Sequence, residues 1–258
     1  MNNTLQNGFR LLEYLSSTAN EHSVTELTEV FDLPKSHICR LLKTLSDTGY
    51  VEQNPITRKY KVCLRILCLA NACLTKLKVR ERVKPYIHRL HETLNTSVFL
   101  AAPMQGEALI VDAIYPQGRE TEISLVIGCI NGPYDSATGK ICAAWLNDDD
   151  LKELFVRVPP CKRTEKTLSE PEEIRKELKK VRCEKLAITK SERSEGLSAI
   201  AAPVFGFGGE LVGSIGAIVP ENSSNAEWQR FEEEIRDAAI GASFAMGDPD
   251  YGEAEKTG

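Results

Sequence analysis

One stretch, from Ser23 to Val51, restricts the fold more than any other. Ser23 followed by Glu26 is a capping-box signature, opening a helix whose buried side is expected at Leu27, Val30 and Phe31. Asp32-Leu33-Pro34 then interrupts the pattern. Pro34 suits the first position of the next helix, where its missing N–H costs no hydrogen bond. That helix is predicted to run to about Asp47, with Gly49 as its left-handed cap. At about 100° per residue, Ile38, Leu41, Leu42 and Leu45 share one face, while Ser36, His37, Arg40, Lys43, Thr44 and Asp47 share the other. The polar face has the size, charge and hydrogen-bonding range to enter a DNA major groove.

The flanking segments fit that use. Residues 5–18 predict an earlier amphipathic helix with Phe9, Leu12 and Leu15 inward. Residues 50–53 and 59–62 alternate around a turn-rich centre, which predicts a β-hairpin with Arg58 and Lys59 at its tip. Three helices and a hairpin over 1–62 make a winged helix-turn-helix. Seven basic side chains of this region are matched by seven acidic ones, so the net charge of −5 falls entirely on the rest of the chain. Within 35–62, six basic residues face only Asp47 and Glu52, a local cationic surface on an acidic body. Ser36, His37 and Arg40, nearest the end of the helix that enters a groove, are the candidates for base contact. Arg40 leads them, because an arginine can make a bidentate contact to guanine. Lys35, Lys43, Thr44, Arg58 and Lys59 are assigned to phosphates.

At 258 residues the chain has room for a second, larger domain. A helix is predicted over 63–78, with Leu64, Leu67 and Leu74 on one flank and Ile66, Leu69, Cys73 and Leu77 on another. Such a two-sided helix has to bury against two partners. It marks 63–79 as a linking and dimerising segment. From Arg80 a further helix carries Val83, Ile87, Leu90 and Leu94 on one stripe. Strands are expected at 97–102, 107–115, 121–127, 186–190, 197–206 and 210–219, the last two joined by a glycine-rich hairpin. Helices are expected at about 138–147, 149–156, 171–183 and 225–246. Antiparallel-looking strands with helices at intervals predict an α+β domain over 80–247, followed by a disordered tail at 248–258.

Several chemistries are disfavoured. No G-x-S-x-G, catalytic dyad or cofactor fingerprint is present, so neither catalytic residues nor a cofactor are assigned. Asp112, Glu120, Glu122 and Asp135 read as scattered acids. Gly132 and Gly139-Lys140 do not make a P-loop, because Ile141 stands where serine or threonine is needed. Lys140 reads as a solvated helix residue. His88 and His91 lack a third ligand, so no metal site is assigned. None of the eight cysteines forms a C-x-x-C pair, and buried free thiols are the expected state. No secretory signal or apolar run of about 20 residues occurs, which points to the cytoplasm.

L-P-K-S at 33–36, R-L-L-K-T-L at 40–45 and G-Y-V at 49–51 together resemble the IclR family of bacterial transcription regulators. Ser136-Ala-Thr-Gly-Lys140 resembles the family's T-A-x-G-K segment, and Glu195-Gly196 through Ala201-Ala-Pro-Val-Phe205 is similar to its E-G-x-x-x-x-A-A-P-V-F stretch. The resemblance implies a winged helix-turn-helix, a linker helix and an effector domain similar to GAF and profilin-like folds. It further implies double-stranded, pseudo-palindromic operator DNA, a small organic effector, and a homodimer or dimer of dimers. Transferred position by position, effector contacts fall on Ser136, Ala137, Gly139, Thr189, Glu192, Ala199, Ser214, Gly216 and Ile218. Relatives often place aspartate at the position of Thr189, cysteine at Ala199, and serines at Gly216 and Ile218. These departures predict a pocket suited to a larger or less polar ligand. The rival reading is a GAF-like enzyme or thiol redox sensor with an incidental helix-turn-helix.

Overall fold

The structure, a computed structural model, describes residues 3–116, 127–220 and 222–252. It divides into two compact units, Met1–Lys76 and Leu77–Gly258.

The first unit opens with α1 (Asn3–Ser17), α2 (Val24–Phe31) and α3 (Lys35–Asp47). Ser23 caps α2 in both directions: its hydroxyl accepts from the Glu26 amide, and its own N–H donates to the Glu26 carboxylate. Pro34 is the residue before α3 rather than its first, and its carbonyl accepts from His37 and Ile38. Gly49 adopts φ +77°, as a left-handed cap requires. Leu11, Leu15, Leu27, Ile38, Leu41, Leu42 and Val51 form the core. Each fully buried leucine or isoleucine among them stabilises the unit by about 1.5–3 kcal/mol. Phe9 and Val30, expected inside, are exposed instead; Leu11 takes the inward position of α1. The wing is short, β1 (Val51–Gln53) against β2 (Tyr60–Val62), with an additional bridge from His22 to Tyr60.

The predicted 63–78 helix is shorter than expected. It spans α4 (Ile66–Leu74), and Leu77 is extended ahead of the next helix. None of its residues is buried within the chain, and Leu67 and Leu69 are more than half exposed.

The second unit begins with α5 (Lys78–Leu94), whose Val79, Val83, Ile87 and Leu90 are buried. Pro85 lies inside it, in the second turn. A six-stranded antiparallel sheet follows, built from β3 (Val98–Met104), β4 (Glu107–Ile114), β5 (Ile130–Asn131), β6 (Ala187–Lys190), β7 (Ser198–Phe205) and β8 (Leu211–Val219). Its order is β5-β4-β3-β8-β7-β6. All eight positions of β7 are buried, which explains its unbroken apolar run: α9 (Asn225–Met246) lies on one side, and α6 (Ala137–Ala144) with α8 (Pro171–Glu184) on the other. α7 (Asp148–Arg157) completes the helical layer of α6 and α8, contributing Leu151 and Leu154 to the shared core. Gly208 and Gly209 take positive φ in the β7–β8 connection, a conformation open to glycine at no steric cost.

Residues 121–126 of the expected 121–127 strand lie outside the described residues. The tail does not begin disordered at 248: Asp248 is buried, and the Tyr251 ring meets Phe205 edge-on at 5.4 Å. Residues 253–258 are outside the description. The free thiols are mostly not buried; Cys39, Cys68, Cys73, Cys161 and Cys183 are exposed, and Cys142 alone is classed as buried. A spacing of five turns successive positions by about 140° around a helix, so Cys63, Cys68 and Cys73 could not share one buried face.

Candidate nucleic-acid interface and a polar cavity

α3 begins with no acidic side chain in its first turn, so its positive end is not neutralised locally. Ser36 and Arg40 are exposed there and His37 is half-buried. An Arg40 Nη2 to His37 Nδ1 contact of 3.1 Å lays the guanidinium along the helix, so the two side chains act as one surface. Lys35 and Lys43 are exposed beside them. Thr44 lies toward the apolar side instead. Its hydroxyl donates to the Arg40 carbonyl, and the residue borders a groove of about 490 Å³ lined by Leu5, Phe9, Leu12, Leu41, Leu45 and Leu69.

In the wing, Asn54 organises the turn by accepting from the Ile56 and Thr57 amides while its side-chain amide donates to Glu21. Those hydrogen bonds, from Asn54 first and Thr57 second, hold the Glu21 carboxyl below its usual range. Arg58 is exposed at φ +59°. Lys59, expected on phosphate like Arg58, is paired with Glu26 at 3.1 Å. An exposed pair of this kind is screened by solvent and contributes little, so a phosphate can take the lysine over at small cost.

In the second unit, a cavity of about 30 Å³ lies at the N-terminal end of α6. Five residues expected at the effector line it: Ser136, Ala137, Thr189, Ala199 and Ile218. Ser136 caps α6, accepting from the Gly139 amide and donating to the Gly132 carbonyl. The other four do not line it. A side chain on Gly139 would start 1.9 Å from the Gly132 carbonyl oxygen, so this glycine permits a close backbone approach. One on Gly216 would start 2.3 Å from the Phe99 ring, itself a wall of the cavity. Ser214 is buried next to Cys142, whose thiol burial pushes up to about 12. Glu192 turns away to Lys140.

Lys140 is the largest departure from expectation. It is 1% exposed rather than solvated, with Nζ 2.8 Å from Glu192 and 3.1 Å from Glu177. Burial raises the Glu192 carboxyl above its usual range, and Lys140 opposes that shift without cancelling it.

The cavity also holds residues that were not anticipated as site residues. Asn131, Asp135, Thr138 and Arg193 line it, together with Phe99 and Leu197. Asp135 is not a scattered acid: it contacts the Arg163 guanidinium directly and faces Arg193 at 3.7 Å. The cavity is therefore smaller and more charged than the substitutions at Thr189, Ala199 and Ile218 suggested. Its charge comes from loops, not from strand positions. The one legible hint was Asp135 standing immediately before the helix-capping Ser136. Among the described residues, no group of three or more His, Cys, Asp or Glu side chains could hold a metal.

Sequence comparison agrees with both units. The IclR helix-turn-helix domain matches residues 4–55, and the C-terminal domain of the bacterial transcriptional regulator IclR matches residues 71–243. The chain belongs to the IclR family. XynR, an HTH-type transcriptional regulator of Escherichia coli, is 23% identical over 248 residues, covering 95% of this chain and 98% of its own length. KdgR of the same organism is 26% identical over 248 residues, covering 94% and 92%. Among solved structures, an IclR transcriptional regulator from Alicyclobacillus acidocaldarius has a TM-score of 0.79 at 19% identity, over 96% of this chain and 100% of its own. An IclR homologue from Microbacterium hydrocarbonoxydans, complexed with 4-hydroxybenzoate, has 0.78 at 18%, over 94% and 98%. This IclR-family member is thus a DNA-binding transcriptional regulator, related to regulators and not to enzymes. None of its described helices is long and apolar enough to cross a membrane.

Proposed function

We propose that this protein is a ligand-controlled regulator, acting in the cytoplasm on a pseudo-palindromic operator as a homodimer or a dimer of dimers. Residues 1–62 read the DNA, 63–79 link and pair two chains, and 80–247 take up a small organic effector. Ser36, His37 and Arg40 contact bases; Lys35, Lys43, Arg58 and Lys59 contact phosphates. Thr44, exposed one turn after Arg40 and donating to its carbonyl, is assigned to phosphate with them.

The observation that carries effector control is the convergence of capped helix, polar loop and apolar strand residues at the head of α6, around a cavity of about 30 Å³ that must widen to admit an organic molecule. A structural neighbour complexed with 4-hydroxybenzoate supports a small organic occupant. Pairing is supported by the apolar groove between α1, α3 and α4 and by the exposed Leu64, Leu67 and Leu69. A second copy supplies the apolar cover these residues need, and a second winged helix for the other half-site. Ligand binding then changes the population of the state whose two reading helices match the half-site spacing.

Electrophoretic shift on the intergenic DNA upstream of the gene, with metabolites of the neighbouring pathway added, tests the whole reading. A specific complex that forms or dissolves with one of them is expected. Equal affinity for operator and random duplex at physiological salt would refute it. Leu69→Glu is expected to lower the mass seen by light scattering to that of one chain, and to abolish the specific shift.

A further inference from the structure

The second unit has a larger recess at the opposite end of α6. It holds about 340 Å³, within the range of about 300–1,000 Å³ usual for small-molecule sites, and shares no lining residue with the cavity at the head of the helix. Three places supply its walls: Pro103 and Gln105 at the β3–β4 turn, Trp145 and Leu146 just past α6, and Glu210 and Leu211 at the β7–β8 connection. Two further lining residues, Gly106 at φ +87° and Gly209 at φ +78°, turn the backbone there without adding a side chain to the recess. Cys142 also lines it, only 2% exposed, and behaves as a small hydrophobe with its thiol held protonated by burial. The charge is one-sided. Glu210, which is exposed, is the single ionisable carboxylate of the lining, and no lysine or arginine belongs to it. Arg157 instead donates to the Gln105 backbone carbonyl. The last turn of α6 carries no basic side chain, so the negative end of the helix is not neutralised by its own residues.

We infer that this recess is a second ligand site, and that its occupant is a small arylalkylamine. The aryl ring packs against the Trp145 indole, Leu146 and Leu211, where ring-on-ring contact adds to the gain from apolar burial. The ammonium group lies toward Glu210 and the carbonyl end of α6, both of which favour a positive charge. A carboxylate in the same place faces Glu210 and those carbonyls with no cation to receive it. A hydroxyl keeps the ring contacts and gives up the charge. Because Glu210 is exposed, solvent screens its pull on the ammonium, so the ring supplies most of the affinity and Glu210 supplies the preference. The recess belongs to the second unit alone, and it can be filled whether or not the head of α6 takes up an effector.

Trp145 and Trp228 are the two tryptophans of the chain, so a full-length Trp228→Phe protein reports Trp145 alone. It is titrated with 2-phenylethylamine, and with 2-phenylethanol and phenylacetate as the neutral and anionic counterparts. The amine is expected to change Trp145 emission saturably, with a Kd below about 1 mM. It should bind about two- to fivefold more tightly than the alcohol, the advantage of one screened charge, and at least about tenfold more tightly than the carboxylate. Glu210→Gln is expected to remove the advantage over the alcohol and to leave the alcohol's own affinity in place, which a merely structural role would not do. Calorimetry on the unaltered protein repeats the three-way comparison, so misfolding of a variant cannot decide the matter. Carboxylate binding as tight as that of the amine, an advantage over the alcohol that survives in folded Glu210→Gln protein, or heat of binding with silent Trp145 emission would overturn the inference. Absence of binding by all three compounds would overturn it as well, and would leave the effector reading to its own operator-release assay.

Discussion

Replacing Lys140 by methionine is the sharpest test of how the second unit is held together. The side chain is 2% exposed, and its two carboxylate partners are 13% (Glu192) and 25% (Glu177) exposed. Methionine keeps the volume and removes the cation, leaving two like charges facing each other. Breaking a buried pair in this way costs about 3–5 kcal/mol. Glu177 can turn a quarter-exposed carboxylate outward, and Glu192 already leans toward taking a proton, so about 2–4 kcal/mol is expected at neutral pH. For a unit of this size, that lowers the midpoint of thermal unfolding by about 4–16 °C. Both tryptophans, Trp145 and Trp228, lie in Leu77–Gly258, so their fluorescence during urea unfolding reports this unit and not the reading head.

The pH dependence gives a second handle. A carboxyl raised on folding takes up a proton, so its contribution to stability declines as pH rises through the interval between its unfolded and folded values. Without Lys140 the interval extends upward, and the penalty should be markedly smaller near about pH 5 than near about pH 8. Adding Glu192→Gln should restore most of the loss. A Lys140→Met protein within about 0.5 kcal/mol of the parent, or a loss independent of pH, would refute the reasoning.

Three further outcomes are expected. Arg40→Ala should lower the ratio of operator to random-duplex affinity, by about 1–3 kcal/mol for a lost bidentate base contact, whereas Arg58→Ala should weaken both alike and reduce the salt slope by about one unit. Titration with a thiol reagent under native conditions should modify Cys161 and Cys183, which lie outside the segments assigned to pairing and to DNA, quickly, and leave Cys142 untouched until unfolding, because its thiolate is scarce and buried. Gly216→Ser, which restores the residue often found in relatives, should displace the Phe99 ring and destabilise the protein by about 1–3 kcal/mol, measurable in the same fluorescence unfolding.

Periodicity served well where one face of an element is buried and poorly where geometry is decided by distant partners. Ile38, Leu41 and Leu42 on α3 were readable because a 3.6-residue repeat separates them from Ser36, Arg40 and Lys43. Capping chemistry located the start of α2 for the same local reason. Phe9 and Leu11 could not be ranked, since the choice of inward face on α1 depends on where α3 and the wing sit. Lys140 was misread because burial of a lysine needs Glu177 and Glu192, 37 and 52 residues later, and no local pattern announces them. The cavity followed the same rule. Its long-strand positions could be transferred by resemblance, whereas Asn131 arrives on the two-residue edge strand β5 and Arg193 on a loop, both placed by tertiary contacts.

Glu192 is fixed from two directions: Lys140 holds its carboxylate, and the hydroxyls of Thr164 and Thr167 donate to its backbone carbonyl. Its neighbour Arg193 therefore swings from a stationary pivot. Reorientation at such a point is a rotamer change, on the picosecond-to-nanosecond scale of partly exposed side chains, and not a loop rearrangement lasting microseconds. A change of side-chain orientation at Arg193 is then fast and local, whereas admitting anything larger than a water to a cavity of about 30 Å³ needs its packed walls to part, a slower step.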